Sequence, residues 1–255
     1  IAGDTKVMPA DSSSNKDRKT ATTEAENAKS IVVLISGNGS NLQALIDSLH
    51  NSDEPVAIAA VISNNADAFG LQRAKNAGIA THFLSHKDFT RRTDFDAELS
   101  QIIDQHQPDL VALAGFMRIL TPDFVNHYYG KMLNIHPSLL PKYQGLHTHQ
   151  RVLAAGDKIH GASVHFVTEE LDGGPTVLQA VVPVIDGDTA DSLAARVLVQ
   201  EHLIYPQAVK WFSSDRLTLR DGAAWFDKQM LSSQGIRIHN IHDFSNKHGD
   251  EAVLI

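Results

Sequence analysis

The sequence predicts an α/β fold: a doubly wound, mostly parallel β-sheet with helices on both faces and antiparallel strands in its C-terminal part. Two observations predict it. Short, wholly apolar, β-branched runs such as Ile31–Ile35 are typical of strands buried on both faces of a parallel sheet. These runs alternate along the chain with amphipathic helical segments, as in repeated βα units. Ligands of such sheets bind beyond the carboxyl ends of the strands, so polar residues at those ends are the functional candidates.

The composition limits the partners. The chain has 255 residues, of which 42% are hydrophobic and 20% charged, as in ordinary soluble globular proteins. Its 22 basic and 30 acidic residues give a net charge of −8, which argues against nucleic-acid or anionic-membrane partners. No apolar run approaches the roughly 20 residues of a membrane helix. The absence of cysteine excludes disulfides and thiolate chemistry and fits a cytoplasmic protein.

Composition divides the chain into three parts. Residues 1–30 are rich in Ser, Thr, Lys, Asp and Ala and nearly free of large apolar side chains, which predicts a disordered tail or vector-derived residues. Residues 31–230 carry the alternating pattern and are expected to form a single domain. Beyond Leu231 the pattern weakens, so residues 231–255 are expected to form a C-terminal extension without a clear fold signal.

The first βα unit predicts an anion site. The strand Ile31–Ile35 leads through the glycine-rich turn Ser36–Asn41 into Leu42–Leu49, which has helical periodicity. This arrangement presents backbone N–H groups and the positive end of a helix dipole to an anion. The loop lacks the third glycine of a dinucleotide fingerprint and the Lys-Ser/Thr of a triphosphate loop, so it indicates a single phosphate. The alternative is a tight turn with Ser40 or Asn41 as N-cap.

The later elements continue the alternation. Helices are predicted over Phe69–Ala77, Phe89–His106 and Thr189–Phe212, the last with an interruption near Pro206. A short helix is predicted to start at Pro122, and a separate one is predicted to end at Ala155. Strands are predicted over Val56–Ile62, Thr81–Leu84, Asp109–Ala114, Met132–His136, Gly161–Val167 and Val177–Ile185, with a possible edge strand over Leu217–Leu219. The strand from Val177 is expected to run antiparallel to its predecessor.

An amide and an imidazole stand two residues apart at the end of a predicted strand. In an extended strand Asn134 and His136 point to the same face, and Pro137 favours the extended conformation at His136. Such a pair can supply hydrogen-bond donors for a developing oxyanion together with a proton carrier. The alternative is a polar strand end that caps a loop.

Three further groups have both a functional and a structural interpretation. Asp172, in a glycine-rich turn, can orient or protonate His136 or can be an Asx-turn residue. His147 and His149 form an H-x-H pair, but no spacing here makes a metal site specific, so no metal is expected. Glu201, followed by a histidine on the last long helix, is interpreted from the pattern alone as part of a polar face.

Four segments resemble the phosphoribosylglycinamide formyltransferases, a folate-dependent formyltransferase family of purine synthesis with a Rossmann-like fold. The segments are IVVLISGNGSNLQ (31–43), AGFMRIL (114–120), LNIHPSLLP (133–141) and SVHFVTEELDGG (163–174). The resemblance spans roughly residues 31–230 and leaves both tails outside.

The resemblance implies transfer of a formyl group from 10-formyltetrahydrofolate to the amine of glycinamide ribonucleotide. The protein is expected to be a monomer or a homodimer. It implies a catalytic role for Asn134, His136 and Asp172. The ribonucleotide side would be formed by Gly39, Ser40, Asn41 and Glu201. The folate side would be formed by Arg92, Met117, Arg118, Ile119, Leu120, Asn134, Thr168, Glu169, Glu170, Leu171 and Asp172.

Three alternative functions compete. A formyltetrahydrofolate hydrolase resembles a longer chain with an N-terminal regulatory domain, for which the 30-residue tail is too short and too polar. A methionyl-tRNA formyltransferase needs a basic C-terminal RNA-binding domain, against which the charge of −8 argues. A non-catalytic phosphate-binding module would need only the glycine-rich loop and would not depend on His136.

Overall fold

The computed structural model describes residues 28–50 and 52–239 and has a central sheet of eight strands. Its strands are β1 Lys29–Ile35, β2 Val56–Ser63, β3 Ala80–Phe83, β4 Leu110–Leu113, β5 Met132–His136, β6 Ile159–Phe166, β7 Thr176–Pro183 and β11 Ile236–Ile238. The strand order across this sheet is β11-β7-β6-β5-β4-β1-β2-β3. The prediction for residues 1–27 lies outside the described residues, whereas Lys29 and Ser30 belong to β1.

The predicted parallel sheet is confirmed. Strands β1, β2, β3, β4 and β5 pair in parallel, as do β7 and β11, and β6 is antiparallel to both of its neighbours. The antiparallel relation between β6 and β7 is the one predicted. Parallel strands place their carboxyl ends at one edge of the sheet, and β1, β4 and β5 are direct neighbours there.

Helices cover both faces of the sheet. They are α1 Ser40–Leu49, α2 Phe69–Asn76, α3 Arg92–Asp104, α4 Pro122–His127, α5 Thr148–Ala155 and α6 Ala190–Ser213, with a 3-10 turn at His86–Asp88. Alternate residues of β1 face two cores: Val33 belongs to the core that includes residues of α1, α2, α5 and α6, and Val32 belongs to the core that includes residues of α3 and α4. This two-sided burial explains the continuous apolar run in the sequence. None of the described helices is long and apolar enough to cross a membrane.

The predicted interruption of the last long helix at Pro206 is wrong, because α6 continues for 24 residues through that proline. A proline inside a helix costs about 3 kcal/mol, since it removes one hydrogen bond and crowds the preceding turn. Burial offsets this cost: Ile204, Tyr205, Ala208 and Val209 are all fully inaccessible to solvent. Local propensity is here outweighed by packing against the sheet.

The C-terminal part contains a second, smaller sheet. The predicted edge strand over Leu217–Leu219 is confirmed as β8 Leu217–Arg220, which lies at the edge of an antiparallel sheet completed by β9 Ala223–Phe226 and β10 Gln229–Met230. Strand β11 lies in the segment for which no fold signal is found, yet it pairs with β7 of the main sheet. Three residues are too few for a periodic pattern, so pairing with β7 is what defines this strand.

We expect Tyr205→Phe to lower the free energy of unfolding by about 1–2 kcal/mol, because a buried hydrogen bond is lost. The Tyr205 hydroxyl lies 2.9 Å from Leu113 O, at the carboxyl end of β4, and 3.1 Å from Leu133 O, near the start of β5. Urea unfolding of the purified variant measures the effect. Tyr129→Phe, at a tyrosine that is half exposed, is the matched control and should change little; equal stability of both variants would contradict the assignment.

Candidate active site

The candidate site lies at the carboxyl edge of β1, β4 and β5. The glycine-rich loop Ser36–Asn41 follows β1, the segment 115–120 follows β4, and Asn134 and His136 end β5. Ser36 joins the first two of these: its hydroxyl donates to Asn64 Oδ1 at 2.6 Å and accepts from the N–H of Met117 at 2.8 Å. The predicted loops therefore meet at one edge.

The glycine-rich loop ends at Gly39, which is the N-cap of α1 with φ of 74°. Neither Ser40 nor Asn41 caps the helix, so the predicted capping residue is wrong, although the turn between β1 and α1 is as tight as predicted. Glycine is required at position 39 for a second reason, since an added Cβ would lie 2.7 Å from Gly70 Cα. No side chain caps the first turn of α1, so its N–H groups remain suited to an anion.

Asn41 instead reaches across the fold to Glu201. Its Nδ2 donates to Glu201 Oε2 at 2.6 Å, and both residues are buried. Burial raises the pKa of Glu201, and the hydrogen bond from Asn41 opposes this shift. The pattern alone assigns Glu201 to an exposed polar face, and the structure shows instead that this side chain is buried. Asn41 Oδ1 is buried without a hydrogen-bond partner, so this amide still has an acceptor to offer.

Arg73, which no sequence pattern singles out, holds the glycine-rich loop in place. Its Nε donates to Asn38 O at 2.9 Å, one terminal nitrogen donates to Asn38 Oδ1 at 2.7 Å, and the other donates to Gln43 Oε1 at 3.2 Å. The guanidinium also stacks over the Phe69 ring at 4.8 Å. No spacing signal links residues 35 positions apart, so only the fold reveals this contact.

The segment after β4 lies beside α3. Arg92 contacts it through a long 3.5 Å hydrogen bond to Ile119 O, and the Arg118 guanidinium lies 4.9 Å from the centre of the Phe95 ring. Met117 and Ile119 expose more than half of their side chains, whereas Leu120 is partly buried against the α3 core. This segment therefore presents an apolar rim next to the site.

Asn134 is oriented by a histidine on the neighbouring strand. Its Nδ2 lies 3.1 Å from His165 Nε2, and His165 Nδ1 lies 2.9 Å from Phe166 O. A carbonyl only accepts, so Nδ1 carries the hydrogen and Nε2 accepts from the amide. Burial lowers the pKa of His165 to about 4, which keeps this ring neutral. Asn134 and His165 are direct cross-strand partners, so a predicted register could have found this contact.

His136 is held at both ring nitrogens. Its Nε2 lies 3.0 Å from Tyr143 O, so this nitrogen carries a hydrogen in either protonation state. Its Nδ1 lies 3.5 Å from Asp172 Oδ2, and both side chains are less than a tenth exposed. The sequence leaves open whether Asp172 contacts His136, and the structure brings the two side chains to this 3.5 Å distance.

Asp172 is fixed by the loop opposite. Its Oδ2 accepts from the N–H of Gly145 at 2.8 Å, and its Oδ1 lies 3.7 Å from His165 Nε2. The backbone of Asp172 has φ of 49°, a region that Asp tolerates better than most residues. The Asp172 carboxylate therefore accepts a hydrogen bond from a residue 27 positions away in the sequence and not from its own turn. The interpretation of Asp172 as an Asx-turn residue is wrong.

The other residues of the Asp172 loop lie around its rim. Glu169 accepts a hydrogen bond from Asn126 Nδ2 at 2.8 Å, and Leu171 is half exposed. Glu170 is exposed and Thr168 is partly exposed. These four residues form no hydrogen bond or ion pair with the side chains of Asn134, His136 and Asp172, all of which the structure describes.

The H-x-H pair does not form a metal cluster. His149 Nδ1 lies 3.1 Å from His160 Nε2, whereas His147 is exposed. Within residues 28–50 and 52–239 no three His, Asp or Glu side chains are arranged to hold a metal ion. Burial, and then the nearby charges of His149 and His136, lower the pKa of His160 to about 4. Burial also lowers the pKa of His149.

We expect the protein to lose stability as the pH falls from about 6.5 to about 4. The pKa of His160 drops on folding from 6.5 to about 4, so the unfolded chain binds more protons in this window and is favoured there. His160→Gln should therefore flatten the dependence of the unfolding free energy on pH between these values. Urea unfolding at several pH values measures the slope; an unchanged slope in the variant would contradict the cause given.

The chain is similar to proteins of known family. The family described as Formyl transferase matches residues 29–209. Phosphoribosylglycinamide formyltransferase of Escherichia coli (strain K12) is 60% identical over 205 residues, covering 80% of this chain and 97% of that protein. The corresponding Haemophilus influenzae protein is 50% identical over 207 residues, covering 81% of this chain and 98% of that protein.

Solved structures agree with the sequence comparison. The structure of the phosphoribosylglycinamide formyltransferase in complex with CHES from Coxiella burnetii superposes with a TM-score of 0.80 at 49% identity, covering 83% of this chain and 99% of that chain. The glycinamide ribonucleotide transformylase 1 of Symbiobacterium toebii gives a TM-score of 0.76 at 42% identity, covering 78% and 94%. The chain belongs to the phosphoribosylglycinamide formyltransferases, within the formyl transferase family.

Proposed function

We propose that the protein transfers a formyl group from 10-formyltetrahydrofolate to the amine of glycinamide ribonucleotide in purine biosynthesis. The observation that carries this proposal is the meeting of Asn134, His136 and Asp172 at the end of β5, beside the glycine-rich loop that follows β1. Family membership supplies the reaction class, and this cluster supplies groups that suit it. Its expected cytoplasmic location and its assembly as monomer or homodimer stay predictions.

Attack of the amine on the formyl carbon creates a tetrahedral intermediate with a negatively charged oxygen. The amide N–H of Asn134 and protonated His136 can both donate to that oxygen. Because His165 fixes the Asn134 amide and Tyr143 O fixes His136 Nε2, these donors need little reorganisation. Preorganised donors of this kind contribute on the order of 3–4 kcal/mol each to lowering a barrier.

One proton must then move from the attacking amine to the leaving nitrogen of the folate. His136 Nδ1 is the ring nitrogen suited to this exchange, because the Nε2 hydrogen is engaged by Tyr143 O. Asp172 Oδ2, 3.5 Å away, can accept a hydrogen bond from a protonated Nδ1, and a water beside the pair can contact both groups. The new C–N bond forms first, and the C–N bond to the folate breaks when the tetrahedral intermediate collapses. The proton that leaves the amine ends on the folate nitrogen, so the step balances.

The two substrates would occupy opposite sides of this cluster. The first-turn N–H groups of α1, at Gly39, Ser40 and Asn41, suit the phosphate of the ribonucleotide, and the buried Glu201 suits its sugar or amine end. The apolar rim of Met117, Ile119 and Leu171 suits the flat pterin ring of the folate. Arg92, Arg118, Leu120, Thr168, Glu169 and Glu170 complete the proposed folate side.

We expect His136→Asn and Asp172→Asn to bind both substrates yet lower kcat by about 10²–10³-fold, because each removes a group that acts in the transition state. Steady-state transfer assays and calorimetric binding separate the two effects. His127→Asn and Asp186→Asn, which replace the same residue types at exposed positions, are the matched controls. A near wild-type rate in either site variant would exclude the proposed role of that residue.

Incubation with 10-formyltetrahydrofolate, with and without glycinamide ribonucleotide, distinguishes the three possible activities. Release of the folate only when the ribonucleotide is present is the expected result. Release in its absence would identify a hydrolase. Binding without release under either condition would identify a non-catalytic module, and ligand binding would then survive His136→Asn without any activity to lose.

We expect Glu201→Gln to raise the KM for the ribonucleotide roughly tenfold to hundredfold, since a charged hydrogen bond contributes about 1.5–3 kcal/mol. Glutamine keeps an oxygen for the hydrogen bond from Asn41, so the loop should keep its shape. The KM for the folate is the internal control and should stay within about twofold. A parallel rise in both KM values would point to a general distortion and against a ribonucleotide contact.

A further inference from the structure

The last strand of the sheet, β11, is connected to the His136 loop by a buried chain of hydrogen bonds. Arg237 is the register partner of Gln179 on β7. Its Nε and a terminal nitrogen donate to Gln179 Oε1 at 3.1 and 2.9 Å. Gln179 is fully inaccessible to solvent, so its amide must find all its partners within the protein.

Arg237 determines which way the Gln179 amide points. A guanidinium has only donors, so the amide oxygen must face it. The amide nitrogen is therefore turned towards the site, where it donates to Leu140 O at 2.8 Å and to Ser163 Oγ at 2.9 Å. Both hydrogens of Nε2 and both acceptor positions of Oε1 are used.

The orientation of the Gln179 amide in turn fixes the direction of the Ser163 hydroxyl hydrogen. It accepts from Gln179 Nε2 and from the N–H of Leu140 at 3.1 Å, so its single hydrogen is left for Ser138 O at 2.6 Å. Ser138 Oγ in turn donates to Lys142 O at 2.7 Å. Ser163 is the cross-strand partner of His136, which places this hydroxyl directly beside the end of β5.

The loop held by these bonds is the one that orients the imidazole. It spans residues 137–143 and closes on His136 from both sides, because Ser138 N donates to His136 O at 2.9 Å and Tyr143 O accepts from His136 Nε2 at 3.0 Å. A shift of this loop would move the carbonyl that fixes the ring. The direction of Nδ1 towards Asp172 depends on that carbonyl.

We propose that Arg237 is a positioning residue for formyl transfer: it fixes the Gln179 amide, which with Ser163 holds the 137–143 loop and so sets the tautomer of His136. This inference rests on the proposed role of His136. Gly235 allows the strand to dock, since its φ is 65° and an added Cβ would lie 2.5 Å from Val177 O. The C-terminal strand is thus part of the support of the site.

The test compares Arg237→Met and Arg237→Lys with Arg220→Met, which removes an exposed arginine from β8. We expect Arg237→Met to lower kcat about tenfold to hundredfold with both KM values within about twofold, because misplacing a catalytic group by about 1 Å costs this much. Lysine keeps one donor towards Gln179 Oε1 and should restore part of the rate. Arg220→Met should behave as wild type.

A double-mutant cycle tests the route. If Arg237 acts through Gln179, then Arg237→Met should add little to the kcat loss of Gln179→Met. Fully additive losses would overturn the proposed route. A loss of thermal stability in Arg237→Met without a change in kcat would overturn the positioning role itself.

Imidazole nitrogen NMR gives a readout that does not depend on activity. Neutral His136 should carry its hydrogen on Nε2 in the wild type and show a mixture of tautomers in Arg237→Met, with the signals assigned by comparison with His136→Asn. An unchanged tautomer would overturn the inference. A wild-type protein without formyl transfer would instead overturn the proposed function, so the two failures are distinguishable.

Discussion

The hydrogen bond from His136 Nε2 to the carbonyl of Tyr143 is the contact on which the geometry of the site depends. It leaves Nδ1 as the nitrogen that faces Asp172, at 3.5 Å. Without this hydrogen bond the neutral imidazole would exist as two tautomers, and Nδ1 would present a hydrogen to Asp172 in one and a lone pair in the other. The loop from residue 137 to 143 supplies the carbonyl that keeps the hydrogen on Nε2. The chain of hydrogen bonds from β11 holds this loop in place.

The same design recurs in the two amides of the site. Asn134 donates to His165, a ring kept neutral by burial, and Asn41 donates to Glu201, a carboxyl group whose pKa is raised by burial. In both cases a buried titratable group accepts one N–H of the amide and so orients it. The second N–H of Asn134 then suits the oxyanion, and Asn41 keeps its unpaired oxygen for a ligand. Low solvent access makes each such contact costly to leave unpaired, and so orients it strongly.

The sheet explains why these groups meet. Asn41, Asn134 and His136 belong to segments that follow or end β1 and β5, and both strands flank β4. Glu201 comes from α6, which packs across the same face of the sheet as α1. That helix continues through Pro206 because its buried surface outweighs the local cost of the proline. Tertiary packing thus places a carboxyl group that the helical pattern alone assigns to a polar surface.

The amino-acid sequence by itself determined that the sheet is mostly parallel, where most helices and strands lie, and which residues at strand ends are candidates. Periodicity and glycine placement are local properties, and a short window of residues contains them. Only the tertiary structure decided that Asp172 faces His136, that Arg73 holds Asn38, and that Arg237 completes the network behind the site. These contacts join residues 35 or more positions apart, or depend on which of two nitrogens carries a hydrogen. Such properties are set by burial and by strand register, and no local pattern records them.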